Sequence, residues 1–503
     1  MRRFLRRLFT WKALVRLLFV IVLLATLLLV FITEENWRGR RAWAAYRSAA
    51  EARGEKLFFK DFIPADIPDE ENYAATPFIR ELFAKMPDGK EPADPFAELS
   101  RILPSIASVS EEKTTDFAKW QETAVEYKWI AEKSVEPARD VLRALEKVEP
   151  VLEQLREASS RPGCKFQAER SDGGLPNLRP IIRLIRMGST FAVRTDALLS
   201  LGDSEAAYRE YRHVMRMYEA LAAEPSIVMG MLRSLLLGIV FPVVRDGLAW
   251  DRWTDAELRA IEKDFAGLNM LDDFQFAMSS DRGLINQMFL QIGRAGPDEK
   301  SKMGLFFSPN SRGTASKKIL SRMFWTVYPN GWVFQSMVKA NEYHDLVLRP
   351  YRSGTKTNPV TFIPKRGSVT QWLDSIGAHS GPKRLHYILV ETFLPSDYAE
   401  KEYLANHTMV QQTRLACAME RFRRAKGAFP SELGELVPEF IPAVPVDVCD
   451  GNPLRYRRNA DGGYDLWSIG TDRKDDGGKP EKSDSHSSPV HLPDFVWHMP
   501  GRP

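Results

Sequence analysis

The longest apolar run of the chain lies near its N-terminus. It extends from Ala13 to Ile32, with Arg16 close enough to its start for the charge to reach lipid head groups. These 20 residues, as a helix rising about 1.5 Å per residue, are long enough to cross the hydrocarbon layer of a bilayer. The basic residues before the run predict a cytoplasmic N-terminus. We therefore expect a transmembrane helix that contacts the lipid bilayer through residues 13–32.

Removal of this segment as a signal peptide is the alternative. The nearby small-residue motif, Ala42-Trp43-Ala44, lies beyond Arg38 and well past the apolar run, which does not fit a signal-peptidase site. The pattern favours an uncleaved, single-pass signal anchor, with the N-terminus in the cytoplasm and the body of the chain outside it.

Helical periodicity dominates the middle of the chain. Pro180–Leu201 and Ser204–Ala223 predict an antiparallel pair of helices, with Asp203 suited to cap the second. Thr254 to Glu257 has the form of a capping box that opens another helix. The pair is weakly similar to a tetratricopeptide unit, but no period of about 34 residues recurs. We expect an irregular α-helical array.

Three further segments have weaker or interrupted patterns. Residues 34–109 predict a juxtamembrane helix followed by a proline-rich acidic connector. A second apolar helix is predicted from Ser226 to about Val244, bent or broken at Pro242. Residues 293–380 are richer in Gly, Pro, Ser and Lys and predict loops around one helix, Trp332–Leu348.

The C-terminal region has the clearest pattern. A helix beginning near Tyr398 carries apolar residues at helical spacing and ends before Gly427. A short helical turn and a proline-rich extended arm follow it. Two alternating segments, Leu454–Arg457 and Tyr464–Ser468, are separated by Asp461-Gly462-Gly463, which predicts an antiparallel β-hairpin.

This order of elements resembles the globular domain of type II secretion major pseudopilins, as found at the end of large membrane-anchored bacterial proteins. The residues that carry the resemblance are Gly427, Pro430, Leu433, Leu436, Pro445, Asp447, Gly451, Pro453, Tyr456, Tyr464, Ser468, Gly470 and Asp472. The resemblance is confined to this end, because Ala13 stands where a pilin has a glutamate. We therefore expect a small pseudopilin-like α+β domain rather than a processed pilin subunit.

The acidic, glycine-rich loop from Ser468 to Asp476 is a candidate calcium site. Closely spaced hard oxygen ligands suit Ca²⁺, although the spacing is not that of an EF-hand. The resemblance implies a structural calcium held by loop carbonyls and aspartates, with Asp472 at a family position. Ser468, Asp475 and Asp476, or the later Asp494, would complete the site. The alternative is a solvated acidic turn.

The three cysteines lie far apart and form neither a disulfide scaffold nor a zinc motif. Cys417 lies on the long C-terminal helix and Cys449 on the arm that we expect to fold back against it. A Cys417–Cys449 disulfide is one interpretation, and buried or free thiols are the other.

Charge and motifs exclude several functions. Lys and Arg number 70 against 66 Asp and Glu, a net charge of only +4, so no nucleic-acid partner is indicated. Zinc-hydrolase, nucleophile-elbow and phosphate-binding-loop motifs are absent from the sequence. The best acid–base candidates are His344 with Asp345 and Asp374 with His379. Their convergence in a cleft would favour an envelope-bound hydrolase with a site in the 293–380 loops.

Together these patterns predict a mainly α protein in four segments. They are an anchor (1–33), a juxtamembrane helix and connector (34–109), a helical body (110–395) and a pseudopilin-like domain (396–503). The predicted function is non-catalytic: a structural or interaction protein of the bacterial envelope, with protein partners there, related to type II secretion or pilus-like systems. A peptide-binding groove on the helical array is a further alternative.

Overall fold

Helices make up most of the computed structural model, which describes residues 11–83, 103, 109, 114–166, 179–222, 224–303, 315–353, 361–365, 367–378, 383–394, 397–479 and 494–501. The helices are α1 (Trp11–Ala52), α2 (Pro77–Phe83), α3 (Phe117–Glu126), α4 (Pro137–Leu145), α5 (Glu149–Ser159), α6 (Arg179–Leu201), α7 (Ser204–Leu221), α8 (Ile227–Ala249), α9 (Asp255–Ala266), α10 (Met270–Arg294), α11 (Pro297–Lys302), α12 (Ala315–Val327), α13 (Asn330–Leu348), α14 (Val369–Ser375), α15 (Lys383–Phe393) and α16 (Asp397–Lys426). The strands are β1 (Arg455–Arg458), β2 (Tyr464–Ser468) and β3 (Phe495–Met499). The prediction of a mainly α fold with an N-terminal apolar helix and a small C-terminal sheet is confirmed.

The chain divides into two compact units. Unit 1 comprises Met1–Phe62, Asp281–Val347 and Gly367–Pro395. Unit 2 comprises Ile63–Ser280, Leu348–Arg366 and Ser396–Pro503. Residues 396–503 lie in unit 2 together with helices from the middle of the chain. The physical reason is that α16 buries side chains along most of its length, against α8 and α9 as well as against the sheet.

In unit 1, the predicted membrane span and juxtamembrane helix form one continuous helix, α1. The second half of α1 packs against α13, where Gly39 and Gly331 let the two backbones meet. A Cβ added to Gly39 would lie 2.1 Å from the Gly331 carbonyl oxygen. Farther along both helices, the Tyr46 hydroxyl donates to Asp345 Oδ2 at 2.6 Å. The helices α1 and α13 thus run side by side in the same direction.

In unit 2, the predicted helix pair and its caps are confirmed. The Asp203 carboxylate accepts the Ala206 N–H at 3.0 Å at the start of α7. Thr254 and Glu257 form the expected capping box at the start of α9. Of the bend or break predicted at Pro242, the break does not occur, because α8 continues through Pro242 to Ala249. Both sides of α8 are packed at this point, since Phe241, Val243 and Val244 are buried, and this packing holds the helix together across the missing N–H.

The C-terminal sheet has the order β1-β2-β3, and both pairs are antiparallel. The hairpin between β1 and β2 matches its prediction, and Gly462 adopts the positive φ of +86° that its turn needs. Strand β3 was not predicted. The Gln412 side chain on α16 joins helix to sheet, because its Nε2 donates to the carbonyls of Leu466 (3.2 Å) and Phe495 (2.7 Å).

Candidate functional site

Asp447 organises the loops at one end of the sheet. Its side chain is fully buried and accepts four hydrogen bonds. The Cys449 N–H and the Ser468 hydroxyl donate to Oδ1, each at 2.9 Å. The Ile469 N–H (3.0 Å) and Arg455 Nη1 (2.7 Å) donate to Oδ2. A buried carboxylate is stable only when it is paired and hydrogen-bonded, and Asp447 is satisfied on every side.

Arg455, on β1, brings three carboxylates together. Besides Asp447, its guanidinium pairs with Asp450, and its Nε lies 3.7 Å from Asp475 Oδ2. Burial opposes ionisation of Asp450, but the bonds from Arg455 and Asn452 outweigh it and lower its pKa. The guanidinium therefore balances negative charge from two loops, those before β1 and after β2.

The structure places the four predicted calcium ligands in different surroundings. Ser468 is buried and already bonded to Asp447. Asp475 Oδ1 accepts Trp467 Nε1 at 3.0 Å and the Gly477 N–H at 2.9 Å, and the Trp467 bond is the main reason that the pKa of Asp475 is lowered. Asp472 is exposed and accepts the Lys474 N–H at 3.1 Å. Asp476 is exposed at the end of the loop.

Asp494, the later candidate just before β3, is buried. Its Oδ2 accepts the Gly478 N–H at 2.9 Å, while its Oδ1 is buried without a hydrogen-bond partner in the described part of the chain. Burial raises the pKa of Asp494, and the charges of Asp475 and Asp476 add to this effect against the backbone bonds from Gly478 and Asp476. A calcium ion at this loop would find an unpaired carboxylate oxygen on Asp494 and an exposed carboxylate on Asp476.

Groups of three or more His, Cys, Asp or Glu side chains placed to hold a metal do not occur within the described residues. A calcium site here would thus need backbone carbonyls beside its two carboxylates. Calcium at the acidic loop stays a prediction.

The three cysteines are free and buried, which matches the second of the two interpretations, and a Cys417–Cys449 disulfide is not formed in the structure. The two thiols face different neighbours. The Cys417 thiol lies near Glu262 and Glu420, whereas the Cys449 thiol lies near Asp447 and Ser468. The arm does return to the fold, but it presents Cys449 to the sheet and not to Cys417.

Of the histidine and aspartate candidates in the 293–380 region, the structure describes His344, Asp345 and Asp374. The His344 ring is buried, with Nδ1 2.8 Å from the Ala340 carbonyl oxygen and Nε2 4.0 Å from Asp281 Oδ2. The Asp345 carboxylate instead binds Tyr46 and, at 3.0 Å, Arg282. Asp374 lies on α14, and His379 lies outside the described residues. His344 and Asp345, although adjacent in sequence, therefore contact different groups.

Sequence reasoning missed a second buried charged cluster, in unit 2. Arg245 and Asp246 on α8 form an ion pair at 2.6 Å with both side chains fully buried. Asp246 Oδ2 accepts the hydroxyl and the N–H of Thr115, at 2.7 and 2.9 Å. Asp196 on α6 is also fully buried, and burial next to Asp246 raises its pKa well above the ordinary value. Asp196 and Asp246 lie on different helices, α6 and α8, and no local sequence pattern indicates that these two side chains come together.

Within the part of the chain that the structure describes, two helices are long and apolar enough to cross a membrane, α1 and α8. The most apolar 18-residue window of α8 is 56% buried, as is typical of a core helix, whereas that of α1 is 0% buried. A signal sequence meets the same criteria as α1. An exposed apolar segment of this length is what a bilayer would cover.

No family model matches the chain, and comparison with curated proteins and with solved structures also found no match.

Proposed function

We propose that this chain is a membrane-anchored structural or interaction protein of the bacterial envelope, without catalysis of its own. The observation that carries the proposal is α1, whose apolar part is wholly exposed and continues without a break into the packed core of unit 1. Such a helix both anchors the chain and holds unit 1 close to the membrane surface.

The contacts of the second half of α1 support a firm attachment of this helix to the rest of unit 1. Glu35 Oε2 accepts Trp332 Nε1 at 3.0 Å and Gln335 Nε2 at 3.1 Å. Arg282 Nη1 donates to Glu55 Oε2 at 2.7 Å near the end of the helix. These polar contacts, with the close approach of Gly39 to Gly331, hold α1 against the rest of unit 1 over about five turns.

The proposed topology is a cytoplasmic N-terminus, a single span of the inner membrane and a periplasmic body. The basic residues before the apolar run support this direction. The resemblance of the C-terminal region to major pseudopilins supports a place beside type II secretion or pilus-like assemblies, with protein partners in the envelope.

The test is membrane extraction of the full chain expressed in a bacterium. We expect the chain to stay in the membrane pellet after alkaline carbonate, and a C-terminal alkaline phosphatase fusion to be active. A Leu23→Arg/Leu24→Arg variant should lose membrane integration, since each charge near a span centre costs about 3 kcal/mol. Leu235→Arg, at an exposed position of the other apolar helix, is the matched control and should stay in the pellet.

Release of the unaltered chain by carbonate, or an inactive phosphatase fusion, would refute the anchored topology. N-terminal sequencing of the membrane-bound protein separates the anchor from a cleaved signal peptide, because a cleaved chain would begin beyond the apolar run.

A further inference from the structure

Helix α12 exposes an apolar face that nothing in the described parts of unit 1 covers. Its most exposed large side chains are Ile319 (58%), Leu320 (59%), Met323 (61%) and Val327 (47%). At about 100° per residue these four positions fall within one arc of roughly a quarter turn of the helix. The opposite side of α12 packs Trp325 and Tyr328 into the core of unit 1. An amphipathic surface helix normally exposes polar residues, so this face is the reverse of the usual pattern.

The turn that follows α12 lies where α1 leaves its apolar run. The Gly331 N–H donates to Asn36 Oδ1 at 2.8 Å. Asn36 is four residues past Ile32, a rise of about 6 Å along the helix. The interfacial layer on each side of the hydrocarbon core is itself about 5 to 8 Å thick. The C-terminal end of α12 therefore lies at the depth of lipid head groups when α1 spans the membrane.

Aromatic side chains surround this level of α1. Trp332 meets Phe31 edge-on with ring centroids 6.0 Å apart, and Tyr328 meets Trp332 in the same manner at 5.3 Å. His386 stacks on Trp332 at 4.8 Å. Trp and Tyr side chains are typical of a membrane–water interface, because the ring contacts lipid while its N–H or O–H group binds water or head groups.

Basic residues stand beside the aromatic group. Arg41 lies over the exposed Trp37 ring, 5.2 Å from its centroid. Lys383 and Arg384 are exposed at the start of α15, next to the exposed Leu385. A mixture of exposed apolar and cationic side chains at one level matches the surface of a bilayer that contains anionic lipids.

We propose that the face of α12 formed by Ile319, Leu320, Met323 and Val327 contacts the membrane interface as a second, peripheral attachment. This inference rests on the proposed anchoring by α1. It commits to lipid as the partner, because the face adjoins the end of the apolar run and its neighbours are aromatic and basic. With two attachments, unit 1 would be held in one orientation on the membrane and could not turn freely about α1.

The experiment uses the full chain in vesicles of phosphatidylcholine and phosphatidylglycerol, with single cysteines carrying an environment-sensitive fluorophore. Leu320→Cys and Met323→Cys report on the face of α12. Glu342→Cys is the matched control, at an exposed position of α13. It lies about 16 Å along the helix from Gly331, on the side away from the apolar run of α1 and therefore away from the membrane. Leu23→Cys reports on the anchor itself. The natural cysteines are buried and stay unlabelled in the folded protein.

We expect lipids carrying a nitroxide near the head group to quench most of the fluorescence at positions 320 and 323, while aqueous iodide quenches it only weakly. Position 342 should show the opposite. If iodide quenches positions 320 and 323 as strongly as 342, the face lies in water and the inference is overturned. If neither quencher acts on them, a protein surface covers the face, which overturns it equally.

The Leu23→Cys label is read with lipids that carry the nitroxide on the acyl chain, because position 23 lies near the span centre. It separates this inference from the proposed function. Quenching by lipid at position 23 without quenching at 320 and 323 rejects the contact of α12 alone. Absence of lipid quenching at position 23 rejects the anchor, and with it both proposals.

Discussion

Arg455 Nη1 lies 2.7 Å from Oδ2 of Asp447, a carboxylate without any solvent exposure, and this pair connects the arm before the hairpin to strand β1. Ser468, at the end of β2, and Ile469, just after it, donate to the same carboxylate and so connect the arm to the loop after the hairpin. The positive charge that balances Asp447 is therefore the Arg455 guanidinium, so this pair forms without a calcium ion.

Asp447→Ala should destabilise unit 2 strongly. The change leaves Arg455 facing an uncharged site and removes the acceptor of three other buried donors, and breaking a buried pair typically costs about 3 to 5 kcal/mol. Chemical unfolding monitored by circular dichroism measures the loss. Asp472→Ala, at an exposed aspartate of the loop after β2 and measured in chelator, should change the free energy of unfolding by less than about 0.5 kcal/mol. Equal effects of both changes would contradict a central role of Asp447 in this cluster.

Gly39→Ala should loosen the joint between α1 and α13. The added Cβ would lie 2.1 Å from the Gly331 carbonyl oxygen, so the backbones must separate, at a cost of about 1 to 3 kcal/mol. Gly296→Ala is the control in the same unit, because its Cβ would meet nothing within 4 Å. Thermal unfolding in detergent compares them, and a Gly39→Ala protein as stable as the control would argue against the close approach.

The thiols should be unreactive in the folded protein. Burial raises the pKa of Cys164 and Cys449 to about 12 and also raises that of Cys417, so little thiolate forms near neutral pH. Titration with a chromogenic disulfide should find almost no thiol before unfolding and all three after denaturation without reductant. A single thiol after denaturation would instead indicate a disulfide.

Unit 2 should lose stability in mild acid through His407. Burial lowers the pKa of this imidazole to about 4, with Arg414 adding to the effect, against about 6.5 in the unfolded chain. A lowered folded pKa gives a contribution that is complete above about pH 6.5 and is lost as pH falls toward 4, up to about 3 kcal/mol. His407→Gln should therefore flatten the fall of the unfolding temperature over this range. An unchanged slope would show that His407 does not cause it.

Calcium should raise the unfolding temperature of unit 2 if Asp494 Oδ1 and Asp476 take part in binding. Excess calcium at about a hundred times its dissociation constant adds about 2.7 kcal/mol relative to chelator. Asp494→Asn and Asp476→Asn should each reduce the shift, and Asp472→Ala tests the family position. Absence of any shift in the unaltered protein would identify the loop as a solvated acidic turn.

Features encoded in neighbouring residues were predictable. The apolar run of α1, the caps at Asp203 and Thr254, the helix end at Gly427 and the hairpin turn at Gly462 all match the structure. Each depends on backbone geometry or side-chain spacing within a few residues, so the local sequence contains the whole signal.

Other features needed partners distant in the chain. Strand β3 pairs with β2 across a long intervening segment, and the five residues of β3 alone do not distinguish a strand from an extended tail. The acidic loop was recognisable by composition, but only the folded chain brings Arg455 between Asp450 and Asp475 and leaves Asp494 Oδ1 unpaired among the described residues.

The sequence by itself thus determined that the protein has an apolar N-terminal helix, a helical body and a C-terminal hairpin, because periodicity and capping act over one or two turns. Only the tertiary structure decided that α1 joins α13 through Gly39 and Gly331, that His344 and Asp345 face different groups, and that α12 exposes its apolar face. Those outcomes depend on which surfaces pack together, and long-range packing is not contained in any local pattern.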